Sequence, residues 1–400
     1  MHYDFDTIID RSSTFSIKWD TSSLPEDCRD AIPLWVADMD FACPPEVVSA
    51  IQKRASHPIY GYTNRSADYY SSLITWMRRR NGWDIRREWV RFAPGVVPAL
   101  NLAVLAYTQP GDKIIIQPPV YYPFAEAVRN NGRQMVENPL RLQGGYYEMD
   151  FDDLERKIDA RTRLLVLCSP HNPVGRVWSR GELERLVDIC ASRGIIIVSD
   201  EIHSDIILGE ARHRCTASLS EKAADITVTL TAPNKTFNLA GLQIANIIIP
   251  NQRLRHEFSQ QSANLGLGLS NIFGIAAQEA AYGQGEPWLE ALLGYLRENY
   301  LTLTRFLEQR LPGIRALPLE GTYLPWLDCR DLGLSDGQLH DLFLKEAKLW
   351  LDDGTMFGTG GSGFMRLNIA SPRSVLTRAL ERLEGALTTQ SLARPRVQGD

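Results

Sequence analysis

The sequence predicts an open α/β fold built on a mostly parallel sheet, and three observations carry that prediction. The run Leu164-Leu165-Val166-Leu167-Cys168 is apolar without interruption, which suits a strand covered on both faces. From about residue 90, short apolar runs alternate with amphipathic stretches of helical period, the order of a βαβ chain. The polar residues best able to do chemistry follow those runs directly, at the strand ends where open α/β sheets bind ligands.

Length and composition bound the rest. At 400 residues the chain can form one large or two medium domains with a sizeable core. Its 44% hydrophobic and 23% charged content is that of an ordinary globular protein. A net charge of −5, not gathered into one run, argues against a nucleic-acid surface and for small-molecule partners. No apolar run approaches the ~18 residues of a membrane span. The start, Met1-His2-Tyr3-Asp4-Phe5-Asp6, is acidic where a secretory signal is basic, so no membrane and a cytoplasmic location are expected. The six cysteines show no C-x-x-C pair and the seven histidines are dispersed, so free thiols and no metal site are expected.

In chain order, the first forty residues are irregular until Ile32-Pro33-Leu34-Trp35-Val36-Ala37-Asp38-Met39-Asp40-Phe41, an apolar strip broken by two acids. It leads through Pro44 and Pro45 into a helix over Glu46 to Arg54, and a plain packing strap would look the same. A Tyr60-Gly61-Tyr62 turn precedes a helix from Tyr69 to Arg80. A strand at Trp89 to Phe92 reaches the turn Ala93-Pro94-Gly95-Val96-Val97, which opens a helix from Pro98 to Tyr107. Such a helix start has free N–H groups and favours phosphate, although many strand–helix turns share that form. A strand at Lys113 to Gln117 leads to the loop carrying Tyr121.

The Leu164 run ends at Ser169-Pro170-His171-Asn172-Pro173-Val174-Gly175, and a capping box, Ser179 with Glu182, starts a helix that stops at Gly194. Ile195 to Val198 runs straight into Ser199-Asp200-Glu201-Ile202-His203. Further strands are expected over Asp225 to Leu230 and Asn246 to Ile249, then helices over Asn271 to Tyr282 and Trp288 to Arg310. A mixed α+β segment follows from about Leu311 to Leu387, and Thr388 to Asp400 reads as a loose tail.

One lysine stands out in Thr231-Ala232-Pro233-Asn234-Lys235-Thr236-Phe237-Asn238-Leu239-Ala240-Gly241, because nothing in so turn-rich a segment asks for it. It could be a nucleophilic amine that forms a Schiff base with an aldehyde cofactor, or a surface lysine beside a loop. Gly95, Tyr121, Asn172, Asp200 with His203, and Lys235 all fall at strand ends, which makes one site of distant segments. An aldehyde cofactor acting as an electron sink needs an acid at its ring nitrogen, and Asp200 suits that. Asn172 can bond a ring oxygen, Tyr121 can lie on the ring, and the backbone N–H groups of Val96 and Val97 can take a phosphate. Those roles are the ones pyridoxal 5′-phosphate (PLP) requires.

With those residues in place, the chain resembles the fold-type I PLP enzymes of the class I/II aminotransferase superfamily. Within it the chain is most similar to the cystathionine β-lyase-like C–S lyases, including the maltose-regulon-modulator type. The matching stretches are 35–41, Tyr60-Gly61-Tyr62, 169–175, 199–203, 235–238, Gly321-Thr322-Tyr323-Leu324 and Phe364-Met365-Arg366-Leu367-Asn368, in family order. The resemblance implies a large PLP domain with a seven-stranded type of sheet (46–290) and a smaller α+β domain (291–387). Residues 1–45 would pack with the smaller domain, and 388–400 would be a flexible tail. It implies that Lys235 holds the cofactor and takes the substrate Cα proton, that Arg366 clamps the α-carboxylate, and that His203 lies at the cofactor. Tyr62 would reach the phosphate of the neighbouring subunit, which makes a homodimer the expected unit.

Two departures stand beside the lysine. Many aminotransferases carry a phosphate-binding arginine eight residues after it, where this chain has Gln243, and a small hydroxyl residue before it, where this chain has Asn234. The resemblance favours β-elimination from an S-substituted cysteine, giving a thiol, pyruvate and ammonia. Transamination would use the same residues, and a regulator that acts by binding another protein is a third reading.

Overall fold

The computed structural model describes residues 3–393, with 390–393 described by backbone alone. The strands, in chain order, are β1 (Ile32–Pro33), β2 (Val90–Ala93), β3 (Lys113–Ile116), β4 (Gln134–Glu137), β5 (Arg141–Gln143), β6 (Tyr146–Glu148), β7 (Thr162–Cys168), β8 (Ile196–Asp200), β9 (Thr227–Thr231), β10 (Ala245–Ile248), β11 (Arg315–Ala316), β12 (Trp326–Asp328), β13 (Leu349–Trp350), β14 (Asp352–Asp353) and β15 (Phe364–Arg366). Seven form one sheet in the order β2-β10-β9-β8-β7-β3-β4. Strands β9, β8, β7, β3 and β4 pair in parallel, and β10 runs antiparallel to both its neighbours.

The apolar runs form this sheet because both of its faces are covered. Every residue of β7 except Arg163 is buried, and each such Leu, Ile or Val side chain removed from water is worth roughly 1.5–3 kcal/mol. Side chains alternate along a strand, so the two faces feed separate cores. Leu164, Val166, Val198 and Leu230 pack with the helix Val96–Tyr107, while Leu165, Leu167 and Ile197 pack with the helix Arg180–Ser192. The latter helix starts with both bonds of the expected Ser179–Glu182 capping box.

Several expectations shift. The strand expected from Asp225 begins at Thr227, because the Ser220 hydroxyl caps a short helix, Glu221–Ile226, that takes the first two residues. A two-residue turn at Gly144 and Gly145, both at positive φ (58° and 83°), joins β5 to β6 in a hairpin the apolar pattern did not signal. The expected loose tail lies mostly outside the described residues, and its described part continues the last helix, Arg373–Ala393. No helix among the described residues is long and apolar enough to cross a membrane.

Two features aim residues at the carboxyl edge of the sheet. The β7/β8 register sets Cys168 opposite Asp200, so both strands end together. A second, antiparallel sheet in the order β11-β12-β15-β14 carries Arg366 on β15, directly across from Asp352 on β14. The segment 34–41 crosses between them without regular structure. It is held by Leu34 N–H to Trp350 O (2.8 Å), Asn368 N–H to Leu34 O (2.9 Å) and Asp40 N–H to Ala370 O (2.9 Å). Asn238 pins its far end through Met39 N–H, Met39 O and Phe41 O, and β1 pairs in parallel with β13.

Gly354, in the turn after β14, has no room for a side chain: a Cβ there would collide with the carbonyl oxygens of Gly361 and Phe364. Gly354→Ala should therefore destabilise the protein by about 1–3 kcal/mol, as overpacking does. The expected result is a lower thermal midpoint, read by calorimetry, with a loss of affinity for carboxylate ligands if β15 shifts.

Candidate active site

One cavity at the carboxyl edge of the main sheet is lined by Ala37, Gly95, Val96, Val97, Tyr121, Cys168, Asn172, Asp200, His203, Asn234 and Lys235 among others. The strand-end residues are therefore gathered in one place. Lys235 sits in a single helical turn, Pro233–Thr236, that follows β9 and starts on a proline. The segment expected as a turn is thus locally helical, and the fixed φ of Pro233 suits that start. The Lys235 amine donates to the carbonyl of Ala37 at 2.5 Å. Burial pulls its pKa down to about 8, with Arg366 acting the same way, while Asp38 and Asp200 oppose the shift.

Asp200 is buried and its Oδ1 accepts the Ile202 N–H at 3.1 Å. Burial raises its carboxyl to about 7, against the pull of that N–H and of Lys235. His203 is neutral, since burial and then the charges of Lys235 and Arg366 push its pKa well down. Its Nδ1 makes no hydrogen bond, and its ring meets Tyr323 edge to face at 5.9 Å. Burial also raises the Tyr121 hydroxyl, so the ring stays a neutral wall.

Asn172 and Arg366 meet: Arg366 Nη1 donates to Asn172 Oδ1 at 3.0 Å. Arg366 Nη2 donates to Trp35 O at 2.9 Å and to the buried Asp352 carboxylate, while its Nε has no partner. The guanidinium is buried, where residue type alone leaves a surface ion pair open. At the other end of the cavity the helix Val96–Tyr107 begins after Gly95 with no side-chain cap. Pro98 has no N–H, so Val96 and Val97 carry the free donors of that first turn.

Some residues were not legible in advance. Asp352, Tyr323 and Ala37 frame the site; Ala37 and Tyr323 lie in stretches the sequence singled out, and Asp352 does not. Tyr62 does not line the cavity of its own chain and is 96% exposed. Gln243 adopts a left-handed backbone (φ 49°), while Asn234 is buried with its Oδ1 unpartnered. Sequence spacing offers no metal set, but the fold brings Glu201, His213 and Cys215 together with ligand atoms within 4.8 Å. Glu201 is already satisfied there by Ser199 Oγ (2.8 Å), the Thr216 N–H (2.9 Å) and His213 Nε2 (3.1 Å).

Three unpartnered polar atoms, on Asn234, His203 and Arg366, are unusual in a folded interior and mark a place for a polar ligand. A family model described as aminotransferase class I and II matches residues 29–383. The chain is 45% identical over 385 residues to cystathionine beta-lyase PatB of Bacillus subtilis, covering 96% of this chain and all of that one. It is 30% identical to protein MalY of Escherichia coli, covering 96% of this chain and 99% of that one. The structure of cystalysin from Treponema denticola, which contains a pyridoxal 5′-phosphate cofactor, is 40% identical with a TM-score of 0.94 and covers 98% of this chain and all of that one.

A lysine that titrates near 8 is about half neutral at pH 8, whereas an ordinary lysine is neutral only about one part in 300 at that pH. In the cofactor-free protein, acylation of Lys235 followed by mass spectrometry should rise steeply between about pH 7 and 9 and then level off. Exposed lysines should still be climbing at pH 10.

Proposed function

Given that the chain belongs to the class I and II aminotransferase family, we propose that it is a PLP-dependent carbon–sulfur lyase. It cleaves cystathionine or another S-substituted cysteine, with water, to a thiol, pyruvate and ammonia. The observation that carries this reading is the likeness, over the whole chain, to a protein named as a cystathionine β-lyase. The cofactor is pyridoxal 5′-phosphate, which when bound supplies an electron sink for the pair left at Cα.

The residues present fit that group. Asp200 offers a buried carboxylate with no cation bonded to it, which suits a protonated ring nitrogen. Val96 and Val97 offer uncapped N–H groups to the phosphate. Asn172 would bond a ring oxygen and Tyr121 would cover a ring face, while His203 lines the same cavity as a neutral group.

On the substrate side, Arg366 takes the α-carboxylate, using the Nε that has no protein partner. Lys235 accepts the Cα proton at Nζ, and burial makes its amine a base near neutral pH. The Cβ–S bond then breaks with its electron pair on sulfur. A thiolate whose parent pKa is about 8.5 leaves readily and takes up one proton.

The finer reading is that two copies act together. Ile59, Tyr60, Tyr62, Leu265 and Leu269 are exposed apolar residues. Their segments are joined by Arg65, which donates to Gly268 O and Ser270 Oγ. A second copy would cover that patch and bring Tyr62 to the first copy's phosphate site. The domain limits at 45, 290 and 387 and a cytoplasmic location belong to the same proposal. All six cysteines are free, which suits a reducing compartment.

Lys235→Ala should abolish pyruvate and thiol release from cystathionine, by at least about 10³-fold, with the thermal midpoint little changed. Arg366→Lys should raise KM more than it lowers kcat, because a point charge replaces a planar fork. Turnover that survives Lys235→Ala sinks the lyase reading. A keto-acid requirement without pyruvate release makes the enzyme an aminotransferase instead.

A further inference from the structure

Residues 11–19, an irregular arm before the strap, carry two cations whose positions packing does not explain. Lys18 is completely buried. Its Nζ lies 2.7 Å from Asp40 Oδ2 and 3.7 Å from Asp38 Oδ1, and it donates to Asp38 O at 3.2 Å. Arg11 grips Asp38 by both oxygens, Nη2 to Oδ2 at 2.9 Å and Nη1 to Oδ1 at 3.3 Å, and also reaches Asp40 Oδ1 at 2.9 Å. Trp19 Nε1 donates to the same Asp40 oxygen at 2.9 Å. Two acids and two cations thus form one closed network between arm and strap.

A buried network of this kind is weak evidence for stability, since well-packed apolar residues often serve as well. Its position is more telling. Asp38 directly follows Ala37, whose carbonyl accepts both the Lys235 amine and the Tyr323 hydroxyl (2.9 Å). A carboxylate one residue from the lysine's own partner is the obvious group to capture that amine, yet it is turned onto Arg11 instead.

We propose that Arg11 and Lys18 are positioning residues for Lys235: they hold the Asp38 carboxylate off the lysine amine and leave the neutral Ala37 carbonyl as its partner. This rests on the reading of Lys235 as the reacting lysine and adds the device that keeps its amine available. The groups facing that amine are Asp38 from the strap, Asp200 at the end of β8, Arg366 on β15, and the neutral His203 and Tyr323. Only Asp38 has cations of another segment arranged around it for this purpose.

The sign of each change follows. If Arg11 is lost, Asp38 swings to the amine and favours its charged form, so the titration near 8 moves up. If Asp38 becomes neutral, that support vanishes and the titration moves down. If Arg11 acts through Asp38, its loss must have little effect once Asp38 is neutral.

The experiment is pH-dependent acylation of Lys235 in the full chain stripped of cofactor, quantified by mass spectrometry, for Arg11→Met, Asp38→Asn and the double variant. The proposal expects the midpoint to rise by about one pH unit, about tenfold less free amine near neutrality, in Arg11→Met. It should fall in Asp38→Asn and stay at the Asp38→Asn value in the double variant. Equal shifts from Arg11→Met in both backgrounds overturn it, as does no shift in either single variant. If Arg11→Met does not fold, Asp38→Asn alone still decides, because an unmoved midpoint there removes Asp38 from the lysine's environment. The readout needs no turnover, so its failure is distinct from a failure of the lyase reading.

Discussion

The contact between the Lys235 amine and the Ala37 carbonyl is the constraint to which much of this chain answers. An enclosed ammonium must have partners, and here the touching partner is a backbone oxygen, 2.5 Å away, on a segment 198 residues distant in sequence. That oxygen is in place only if the strap holds its path. Three pins fix it, on three different parts of the fold: Asn238 just after the lysine, Asn368 after β15 through Val36 O and Asp38 O, and Arg11 and Lys18 on the arm. The lysine is therefore where the main sheet, the small sheet and the N-terminal arm are brought to agreement.

Burial acts on the two central charges in opposite senses. It lifts Asp200 to about 7 and lowers Lys235 to about 8, so the acid and the base of the cavity are brought close in proton affinity. Each opposes the other's shift. A protonated ring nitrogen held at Asp200, as proposed, would supply the cation that the carboxylate lacks. The same cavity that makes the groups expensive to bury makes them useful near neutral pH.

The main sheet was legible because its signals are local. The apolar runs of β7 and β8, the capping box at Ser179 and the polar residues at strand ends can each be read in a short window, and the last of these located Asn172, Asp200 and Lys235. What escaped depends on pairing between distant segments. Asp352 stands on a two-residue strand with no period of its own and meets Arg366 only through cross-strand register. Lys18 reads as a surface lysine until Asp40, 22 residues later, is folded onto it. The strand expected from Asp225 was displaced by a serine cap, a competing local signal that hydrophobicity alone does not weigh. Arg366 lay between the two cases: its stretch was found by resemblance, while its burial against Asp352 needed the fold.

The departures on either side of Lys235 bear on how a phosphate would be held. The cations of the site are Lys235 and Arg366, the latter bonded to Asn172 and Asp352, and His203 is neutral. Gln243 stands where an arginine would have offset a phosphate dianion. The donors left at the start of the helix Val96–Tyr107 are backbone N–H groups, which carry partial charge at most. A dianion held by those alone would keep much of its charge unbalanced, and in the proposed dimer further contacts would come from the second copy. Tyr62, almost fully exposed beside other uncovered apolar residues, is the donor the proposed second copy would offer. In the proposed dimer the second copy would complete the phosphate site, and Gln243 at the position of an arginine would tie cofactor binding more tightly to dimer formation.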